Sequence, residues 1–334
     1  MAARSSPSIY DLADTLGVSA STVSRVLNQR GGIGEATRKR VLASAKKSGF
    51  RPRMTARQLT VAIVIDRHRF TTFGGFVPNL LSCIIETISK HDVAVELVTE
   101  HNLDRLDARL IDGVVAMAWD DATIELLRGL RGVPVVTLNR MDESEFSSVA
   151  SDHRQHGEMA ADYFASRGHR RIAMICEERS NWGTLQRYEG FVSRLQELGL
   201  PVDSDTVSFT DHQPMYGLLR RLATVAKPTA LFVANESMGM EAMYILQQVL
   251  QVRVPQDISL LGMESDRVSQ FLAPPLTAIA QPMMELAERS LEVLLKQVSE
   301  KQGPSHVILS NRLIERESVA SVTPPTTAVV SPSR

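Results

Sequence analysis

The sequence predicts an α/β protein in which a small all-α head precedes a body of two doubly wound parallel sheets. From about residue 61 onward, short apolar runs alternate with amphipathic stretches, as expected for parallel strands covered by helices. Before that point the apolar residues recur at helical spacing. We therefore expect a head over residues 1–60, a body over 61–318 and a disordered tail, rich in Pro, Ser and Thr, over 319–334.

The head is predicted to open with two short helices joined by a tight turn. Ser8 can cap the free amides of the first helix, and Asp11 completes a capping box three residues later. Gly17 allows the turn because it carries no side chain, and Ser19 caps the second helix. The inner face of the first helix consists of Leu12, Ala13 and Leu16.

The second helix has an outer face suited to a DNA groove. Val23, Val26 and Leu27 point inward, whereas the other positions are small or form hydrogen bonds. A major groove about 12 Å wide admits such a helix, and an arginine can donate two hydrogen bonds to guanine. Short hydroxyl side chains suit contacts with phosphate. The candidate contact residues in the head are Ser8, Ser19, Ala20, Ser21, Thr22, Ser24, Arg25 and Asn28.

A third helix from about Glu35 to Ser48 completes a three-helix unit of the helix-turn-helix type. An ordinary amphipathic helix pair in a larger core is the alternative, because short motifs produce false matches. Charge favours DNA: residues 1–60 hold eleven Lys or Arg and three acids, a net charge of +8, whereas the whole chain carries −1. A basic head on an acidic body is expected when only the head meets phosphate.

The body is predicted to consist of two doubly wound units, which follow one another along the chain. The expected strands are 61–65, 93–98, 113–117, 133–138, 172–176, 207–209, 230–234 and 259–262. The expected helices are 80–89, 124–130, 152–167, 185–198, 216–226, 238–250 and 281–300.

Composition predicts a cytoplasmic chain without a metal site or cofactor. Hydrophobic residues make up 43% of the 334 positions, yet no apolar run approaches the roughly 20 residues of a membrane helix. The first residues, MAARSSPSIYD, lack the apolar core of a secretory signal. Cys83 and Cys176 each lie in an apolar stretch, which predicts buried, reduced thiols.

Two other classes of protein fit the sequence less well. A dinucleotide-dependent enzyme would need a glycine-rich turn after a strand, and no GxGxxG pattern occurs in the chain. We therefore expect no enzymatic activity. A secreted sugar receptor would lack the basic head and would carry an export signal, and the chain meets neither condition.

Several segments match one family. The head contains IYDLADTLGVSASTVSRVLN and GEATRKRVLASAKKSGFRP, and the body contains GHRRIAMI, RYEGF, ALFVANE, VPQDISLLGME, PPLTAIAQP and LIERES. With these segments the chain resembles the lactose/galactose repressor (LacI/GalR) family of bacterial transcriptional regulators over about residues 8–318. The resemblance implies a periplasmic-binding-protein-like body with an effector cleft. Lobe 1 would span about 61–150 and 281–310, and lobe 2 about 151–280 and 311–318.

The segment after the head departs from the family. In the family this segment forms a hinge helix on DNA, and a leucine from it wedges into the minor groove, a known way to bend a duplex. Leu59 matches that leucine, and Arg53 is a further candidate DNA contact. Here Arg51–Thr60 runs almost directly into the first strand, whereas relatives have a longer linker. Leu59 as the start of that strand is the alternative.

Candidate effector residues lie in the loops of the body. Ligands of open parallel sheets bind beyond the carboxyl ends of the strands. The resemblance implies effector contacts from Arg187, Asn235 and Glu264, the last of which is usually Asp in the family. Phe76 matches an effector-facing aromatic, and Trp182 could stack on a sugar. Packing is the alternative for Trp182, and a salt bridge between the lobes is the alternative for Arg187.

The sequence therefore predicts a sequence-specific DNA-binding transcriptional regulator, expected to be a repressor. A small-molecule effector, expected to be a sugar or sugar derivative, would control its affinity for the operator. The expected partners are double-stranded DNA with a pseudo-palindromic operator, the effector and a second copy of the chain in a homodimer. A two-lobe sugar-binding receptor without a DNA role is the alternative.

Overall fold

A computed structural model describes most of the chain. The residues that it does not describe are 1–7, 28–31, 49, 51–57, 67–74, 100, 104–105, 107–110, 142–144, 211–213, 266 and 323–334, together with the side chain of residue 46. Two of the predicted DNA contacts, Asn28 and Arg53, lie outside the described residues.

The described residues form three helices in the head and two six-stranded sheets with helices in the body. The helices are α1 (Ile9–Leu16), α2 (Ala20–Leu27), α3 (Glu35–Ser48), α4 (Phe76–Ser89), α5 (Asp121–Arg128), α6 (His153–Ser166), α7 (Trp182–Glu197), α8 (Met215–Arg221), α9 (Glu236–Tyr244) and α10 (Met283–Glu300). The strands are β1 (Leu59–Ile65), β2 (Val93–Thr99), β3 (Gly113–Met117), β4 (Val135–Leu138), β5 (Ser147–Ser151), β6 (Ile172–Cys176), β7 (Val207–Phe209), β8 (Ala230–Val233), β9 (Ser259–Glu264), β10 (Thr277–Ala280), β11 (His306–Leu309) and β12 (Arg312–Ile314).

The local signals predicted for the head are confirmed. The Asp11 amide donates to Ser8 Oγ (3.2 Å), and the Ser8 amide donates to Asp11 Oδ2 (2.6 Å), so the capping box is complete. Gly17 ends α1 at a φ of +64°, a conformation that favours glycine. One shared core holds the three helices together, and its buried members are Leu12, Ala13, Val23, Val26, Leu27, Val41 and Ala45.

The first sheet has the strand order β11-β5-β4-β3-β1-β2. The pairs β1–β2, β1–β3, β3–β4 and β4–β5 are parallel, as predicted. In β1, Val61–Ile65 is buried throughout, as expected for a strand covered on both faces. Helix α10 packs closely on this sheet, because a Cβ built on Gly113 would lie 2.8 Å from a methyl carbon of Leu294.

The second sheet has the order β12-β10-β9-β8-β6-β7. Its pairs are parallel except at one edge, where β12 runs antiparallel to β10. The two doubly wound sheets are therefore confirmed, with one antiparallel edge strand, β12, that the sequence did not predict. Four strands, β5, β10, β11 and β12, were not predicted at all.

Strand β5 shows why such strands escape detection. Its sequence, SSVAS, contains no apolar run, yet all five residues are buried. Burial is possible because the serine hydroxyls are hydrogen-bonded. Ser148 Oγ lies 2.7 Å from His306 Nδ1, and Ser151 Oγ donates to Gln281 Oε1 at 2.9 Å.

The contacts within the chain define two compact units. Residues 1–70, 80–149 and 284–307 form the first, and residues 71–79, 150–283 and 308–334 form the second. Phe76–Asn79 at the start of α4 thus belong to the second unit, although lobe 1 was expected to contain them.

The chain continues in packed structure beyond residue 318. Val319 is buried in the core of the second unit. The Ala320 amide donates to Ser259 Oγ (3.0 Å), and the Val322 amide donates to the Arg167 carbonyl (2.8 Å). The expectation of a disordered tail is therefore wrong for residues 319–322, because partners distant in sequence order them, and the rest of that expectation lies outside the described residues.

The two cysteines differ in burial. Cys176 is buried, and burial raises the pKa of its thiol to about 12. Cys83 is only partly buried, so the expectation of two buried thiols is wrong for this residue. Among the described helices, none has the length and apolar character needed to span a bilayer.

Candidate functional site

The exposed surface of α2 carries the predicted DNA contacts. Ser21 and Arg25 are exposed, and Thr22 and Ser24 are partly exposed. Ala20 differs from the prediction, since it packs against the core of the head. In the described part of α2, Arg25 is thus the exposed side chain that extends a hydrogen-bond donor farthest into solvent.

The hydroxyl groups at the start of α2 interact with one another. The Thr22 amide donates to Ser19 Oγ (3.1 Å), which confirms Ser19 as the cap of α2. Ser19 Oγ also lies 2.8 Å from Ser21 Oγ and 2.8 Å from Thr22 Oγ1. This cluster fixes the first turn of α2. Contacts of Ser8 and Ser19 with phosphate stay predictions.

Tyr10 is a candidate residue that sequence reasoning missed. It lies on α1 and is 69% exposed. A tyrosine hydroxyl group at this surface can donate a hydrogen bond to a phosphate oxygen. Its position outside the apolar face of α1 was a signal available in the sequence.

Leu59 is the first residue of β1. It is partly buried, and its partner in the parallel register is Val93 of β2. Leu59 therefore lies in a strand, as the alternative interpretation expected, and not on a hinge helix. The physical reason is the short linker, which leaves this leucine within reach of the sheet.

Polar residues follow three neighbouring strands of the second sheet. Glu177 follows β6, Asn235 lies just beyond β8, and Ser265 follows β9. Because β6 pairs with β8 and β8 pairs with β9, all in parallel, these residues lie at one edge of the sheet. This carboxyl edge is where ligands of such sheets bind.

Arg187 of α7 forms the centre of a buried polar cluster at this edge. It is only 6% exposed. Its Nη1 lies 3.1 Å from His153 Nδ1, its Nη2 donates to Thr184 Oγ1 (3.2 Å), and its Nη2 lies 3.7 Å from Glu177 Oε2. Burial lowers the pKa of Arg187, and the Glu177 carboxylate acts in the opposite direction. The guanidinium is held in one position.

Asn235 belongs to the same cluster. Its Nδ2 donates to Glu177 Oε1 (2.7 Å), and its Oδ1 accepts from the Met238 amide (3.1 Å) as the N-cap of α9. The structure thus links two of the sequence-predicted residues, Arg187 and Asn235, through Glu177. Sequence reasoning missed Glu177, although an acid directly after a buried strand was a visible signal.

Trp182 packs beside the cluster. It is partly buried, and its ring meets the ring of His153 edge to face, with centroids 5.6 Å apart. His153 in turn stacks on His156 with a centroid distance of 5.9 Å. His156 is fully buried, and burial, with Arg187 nearby, lowers its pKa to about 3. A packing contact of Trp182 is thus present, and sugar stacking stays a prediction.

Glu264 forms an ion pair with Arg316. Its side chain is 5% exposed, and its Oε2 lies 2.7 Å from Arg316 Nη1 in an ion pair that lacks hydrogen-bond geometry. Arg316 Nη1 also donates to the Leu276 carbonyl (2.6 Å). Glu264 is thus paired with Arg316, and its contact with an effector stays a prediction.

A second polar network lies next to β9. Ser265 Oγ donates to Glu236 Oε2, and Asn79 Nδ2 donates to Ser265 Oγ (3.1 Å). Asn79 lies on the first turn of α4, which begins with Phe76. Phe76 is partly buried, and its role towards an effector stays a prediction.

Asp66 holds the corresponding edge of the first sheet. It follows β1, is 3% exposed, and accepts from the amides of Trp119 and Asp120, both at 2.8 Å. Burial raises its pKa, and these two amides act against the shift. The residue positions the start of α5, which is a structural role that sequence reasoning missed.

A helix-turn-helix head and a body of two doubly wound sheets define a class of DNA-binding transcriptional regulators. Residues 8–53 match the family of bacterial regulatory proteins, lacI family, and residues 161–319 match the periplasmic binding protein-like domain. The HTH-type transcriptional repressor PurR of Pectobacterium carotovorum subsp. carotovorum (strain PC1) is 31% identical, over 93% of this chain and 96% of the relative. PurR of Pasteurella multocida (strain Pm70) is 28% identical, over 94% and 98%.

Solved structures of transcriptional regulators share this fold. The complex of the transcriptional regulator CelR with cellobiose has a TM-score of 0.70 and 26% identity, covering 93% of this chain and 99% of the other. The lac repressor dimer bound to operator has a TM-score of 0.70 and 21% identity, covering 95% and 100%, and shows the fold. The chain belongs to the lacI family, and it is a ligand-controlled transcriptional repressor.

Proposed function

We propose that α2 reads operator DNA and that a neutral, hydroxylated small molecule, of the sugar class, binds against the Arg187 cluster and changes operator affinity. The observation that carries the proposal is the position of Arg187, which is buried and held by three neighbours at the carboxyl edge of the second sheet.

Charge supports a neutral ligand. The Arg187 guanidinium and the Glu177 carboxylate lie close to each other and cancel in net charge. Together with the Asn235 amide they offer both donors and acceptors, which suits sugar hydroxyl groups. An anionic ligand would have to compete with Glu177 for Arg187. In one structural relative, CelR, the bound ligand is cellobiose.

DNA readout is assigned to the exposed face of α2. Arg25 would contact a guanine edge, and the serine hydroxyls would contact phosphates. We propose that two copies of the chain bind the half-sites of a pseudo-palindromic operator, one head to each half-site. Since the chain acts on DNA, we place it in the cytoplasm, and we assign it no enzymatic activity because its relatives are named as transcriptional regulators.

A surface of the first unit supports the dimer. Strand β2 ends the first sheet, and its Val95 and Leu97 side chains are 43% and 49% exposed. Ile85 on α4 is 55% exposed. An edge strand with exposed apolar side chains is prone to association. We propose that this surface, Ile85–Val95–Leu97, contacts the second copy.

Control by the effector requires unequal binding. A ligand changes operator affinity only by the ratio of its affinities for the two conformations of the protein. On binding, the ligand would replace internal hydrogen bonds of the Arg187 cluster with hydrogen bonds to itself. The two conformations of the protein would differ in their affinity for the ligand because this replacement would be more favourable in one of them.

The experiment begins with selection of operator sequences from random DNA by the full-length protein. Operator affinity is then titrated by fluorescence anisotropy with sugars, including cellobiose, and with purine bases as the competing class. We expect a sugar to change operator affinity in the wild type and to have no effect in Arg187→Gln. A response to purines alone would overturn the sugar assignment, and absence of sequence preference would overturn the DNA assignment.

A further inference from the structure

A cavity of about 300 Å³ opens at the amino ends of the strands in the second unit. Three of its lining residues directly precede strands: Arg171 precedes β6, Thr229 precedes β8 and Ile258 precedes β9. Because these strands are parallel, this edge of the sheet is opposite to the edge that carries Glu177 and Asn235. The cavity is therefore separate from the proposed effector site.

Two irregular helical segments form one wall of the cavity. Leu222–Ala226 continues α8 as a π-helix, and Ile245–Val249 continues α9 in the same way. Leu222 and Leu246, one from each segment, line the cavity. π-Helical turns are rare and occur often at functional sites. Both of these segments contribute residues to this one cavity.

The backbone after each segment is also unusual. Lys227 directly follows the first π-helix with a φ of +47°, and Gln251 comes shortly after the second with a φ of +55°. Both residues line the cavity. Left-handed conformations are costly for residues other than glycine and cluster at binding sites. Two turns of this kind therefore lie at the cavity.

The floor is apolar and the mouth is cationic. Leu219, Leu231 and Val252 contribute aliphatic side chains to the lining. At the mouth, the Arg171 guanidinium donates to the Lys227 carbonyl, which holds the arginine in place. The ammonium group of Lys227 makes no hydrogen bond or ion pair with any residue that the structure describes.

The one acid in the lining does not cancel this charge. Asp257 accepts two hydrogen bonds from the Arg253 guanidinium, at 2.8 and 2.5 Å. These hydrogen bonds lower its pKa to about 2, so Asp257 is ionised and neutralised by Arg253. Arg171 and Lys227 thus give the mouth a surplus of positive charge.

We propose that this cavity is a second binding site, which takes a small apolar carboxylate. The hydrocarbon part would lie against Leu222, Leu231 and Leu246, where burial of apolar surface favours binding. The carboxylate would accept charge-assisted hydrogen bonds from Arg171 and Lys227. The volume, at the lower end of that known for ligand sites, restricts the ligand to one ring or a short chain.

The test is a titration of the full-length protein, labelled with ¹³C in its Leu, Val and Ile methyl groups, with benzoate. We expect saturable shifts confined to methyl groups that line the cavity, among them Leu222 and Leu246. Benzamide, which has the same shape without the charge, is expected to bind at least about tenfold more weakly, a difference of about 1.4 kcal/mol. Shifts centred on the Arg187 cluster, or equal binding of benzamide, would overturn the proposal.

Variants test the two parts of the site. Lys227→Gln is expected to weaken benzoate about tenfold, whereas Lys301→Gln, at another exposed lysine with a positive φ of +53°, should have no effect. Ala223→Leu fills the cavity from a partly exposed position and should abolish the shifts. If Ala223→Leu alters the whole methyl spectrum, Arg171→Gln replaces it. Equal affinity of Lys227→Gln and Lys301→Gln would contradict the site.

Discussion

Gly157 of α6 lies so close to the carbonyl oxygen of Arg187 in α7 that a Cβ built on Gly157 would be 2.1 Å from that oxygen. Gly190 stands in the same relation to Arg154, whose carbonyl oxygen would lie 2.1 Å from its Cβ. The two helices therefore touch through their backbones, because any side chain at either position would push them apart. This contact places Arg187 beside His153 and fixes the centre of the candidate effector site.

Replacement of Gly157 by alanine is expected to separate α6 from α7. The added methyl group cannot be accommodated against backbone atoms, so we expect the free energy of unfolding to fall by about 1–3 kcal/mol or more. Effector affinity should fall as well, because Arg187 moves. Thermal unfolding and effector titration measure the two effects.

Gly217→Ala is the matched control. Gly217 is exposed in α8, and a Cβ there would have no neighbour within 4 Å. Alanine is favoured over glycine in a helix by about 1 kcal/mol, so this variant should be as stable as the wild type or more stable. If both variants behave alike, the close contact of α6 and α7 is not what positions Arg187.

Arg25→Ala is expected to lower affinity for the selected operator by about 1–3 kcal/mol, since it removes a contact with a base edge. Affinity for unrelated DNA should change less, and effector binding should stay the same. Arg267→Ala, which removes the same charge in the second unit, serves as the control. Equal losses on operator and unrelated DNA would assign Arg25 to phosphate rather than to a base.

Glu264→Ala is expected to destabilise the second unit by about 3–5 kcal/mol, because Arg316 would stay largely buried without its counter-charge. The double variant Glu264→Ala/Arg316→Ala should lose less than the sum of the single variants, as expected for coupled residues. Chemical denaturation of the wild type, the two single variants and the double variant completes this double-mutant cycle. If the losses of stability in the single variants add up in the double variant, and the effector response is lost, the effector contact expected for Glu264 would be supported instead.

His156 is expected to make stability depend on pH. Burial lowers its pKa to about 3, whereas the ring in the unfolded chain titrates near its usual value of about 6.5. Between these values the unfolded chain binds one proton more than the folded chain. Stability should therefore fall as the pH drops below about 6.5, by about 1.4 kcal/mol per pH unit.

The measurement for His156 is the melting temperature of the wild type and of His156→Leu between about pH 7.5 and 5. His156→Leu keeps a buried side chain of similar size but has no titrating group. We expect a shallower decline of the melting temperature in the variant. Parallel curves for the two proteins would show that the ring is not buried in its neutral form.

Leu97→Glu is expected to weaken the proposed homodimer by a factor of about ten or more, equivalent to about 1.4 kcal/mol, because it puts charges on an apolar surface. Val202→Glu, which changes an apolar side chain exposed to 38% in the second unit, is the control. Sedimentation velocity measures the association. A dimer unchanged by Leu97→Glu would exclude the Ile85–Val95–Leu97 surface as the contact.

The candidate site could be predicted in part. Asn235 and Glu177 lie together because the carboxyl ends of the adjacent parallel strands β8 and β6 meet at one edge, and Arg187 of α7 reaches them through Glu177. Glu264 lies at the end of β9, also as expected, but its side chain pairs with Arg316. The effector contact of Glu264 was expected from the family resemblance, and nothing near Glu264 in the sequence indicates Arg316 as its partner.

The sequence by itself determined the features that depend on residues close together along the chain. These are the capping box at Ser8, the turn at Gly17, the apolar faces of the head and most strands of the body. Only the tertiary structure decided that Leu59 joins β1, that the serines of β5 are buried, and that residues 319–322 pack on the second unit. The physical reason is the range of the interactions. Caps and periodic apolar faces involve residues within a few positions of one another, whereas strand pairing and buried polar contacts need partners that the chain brings close only when it folds.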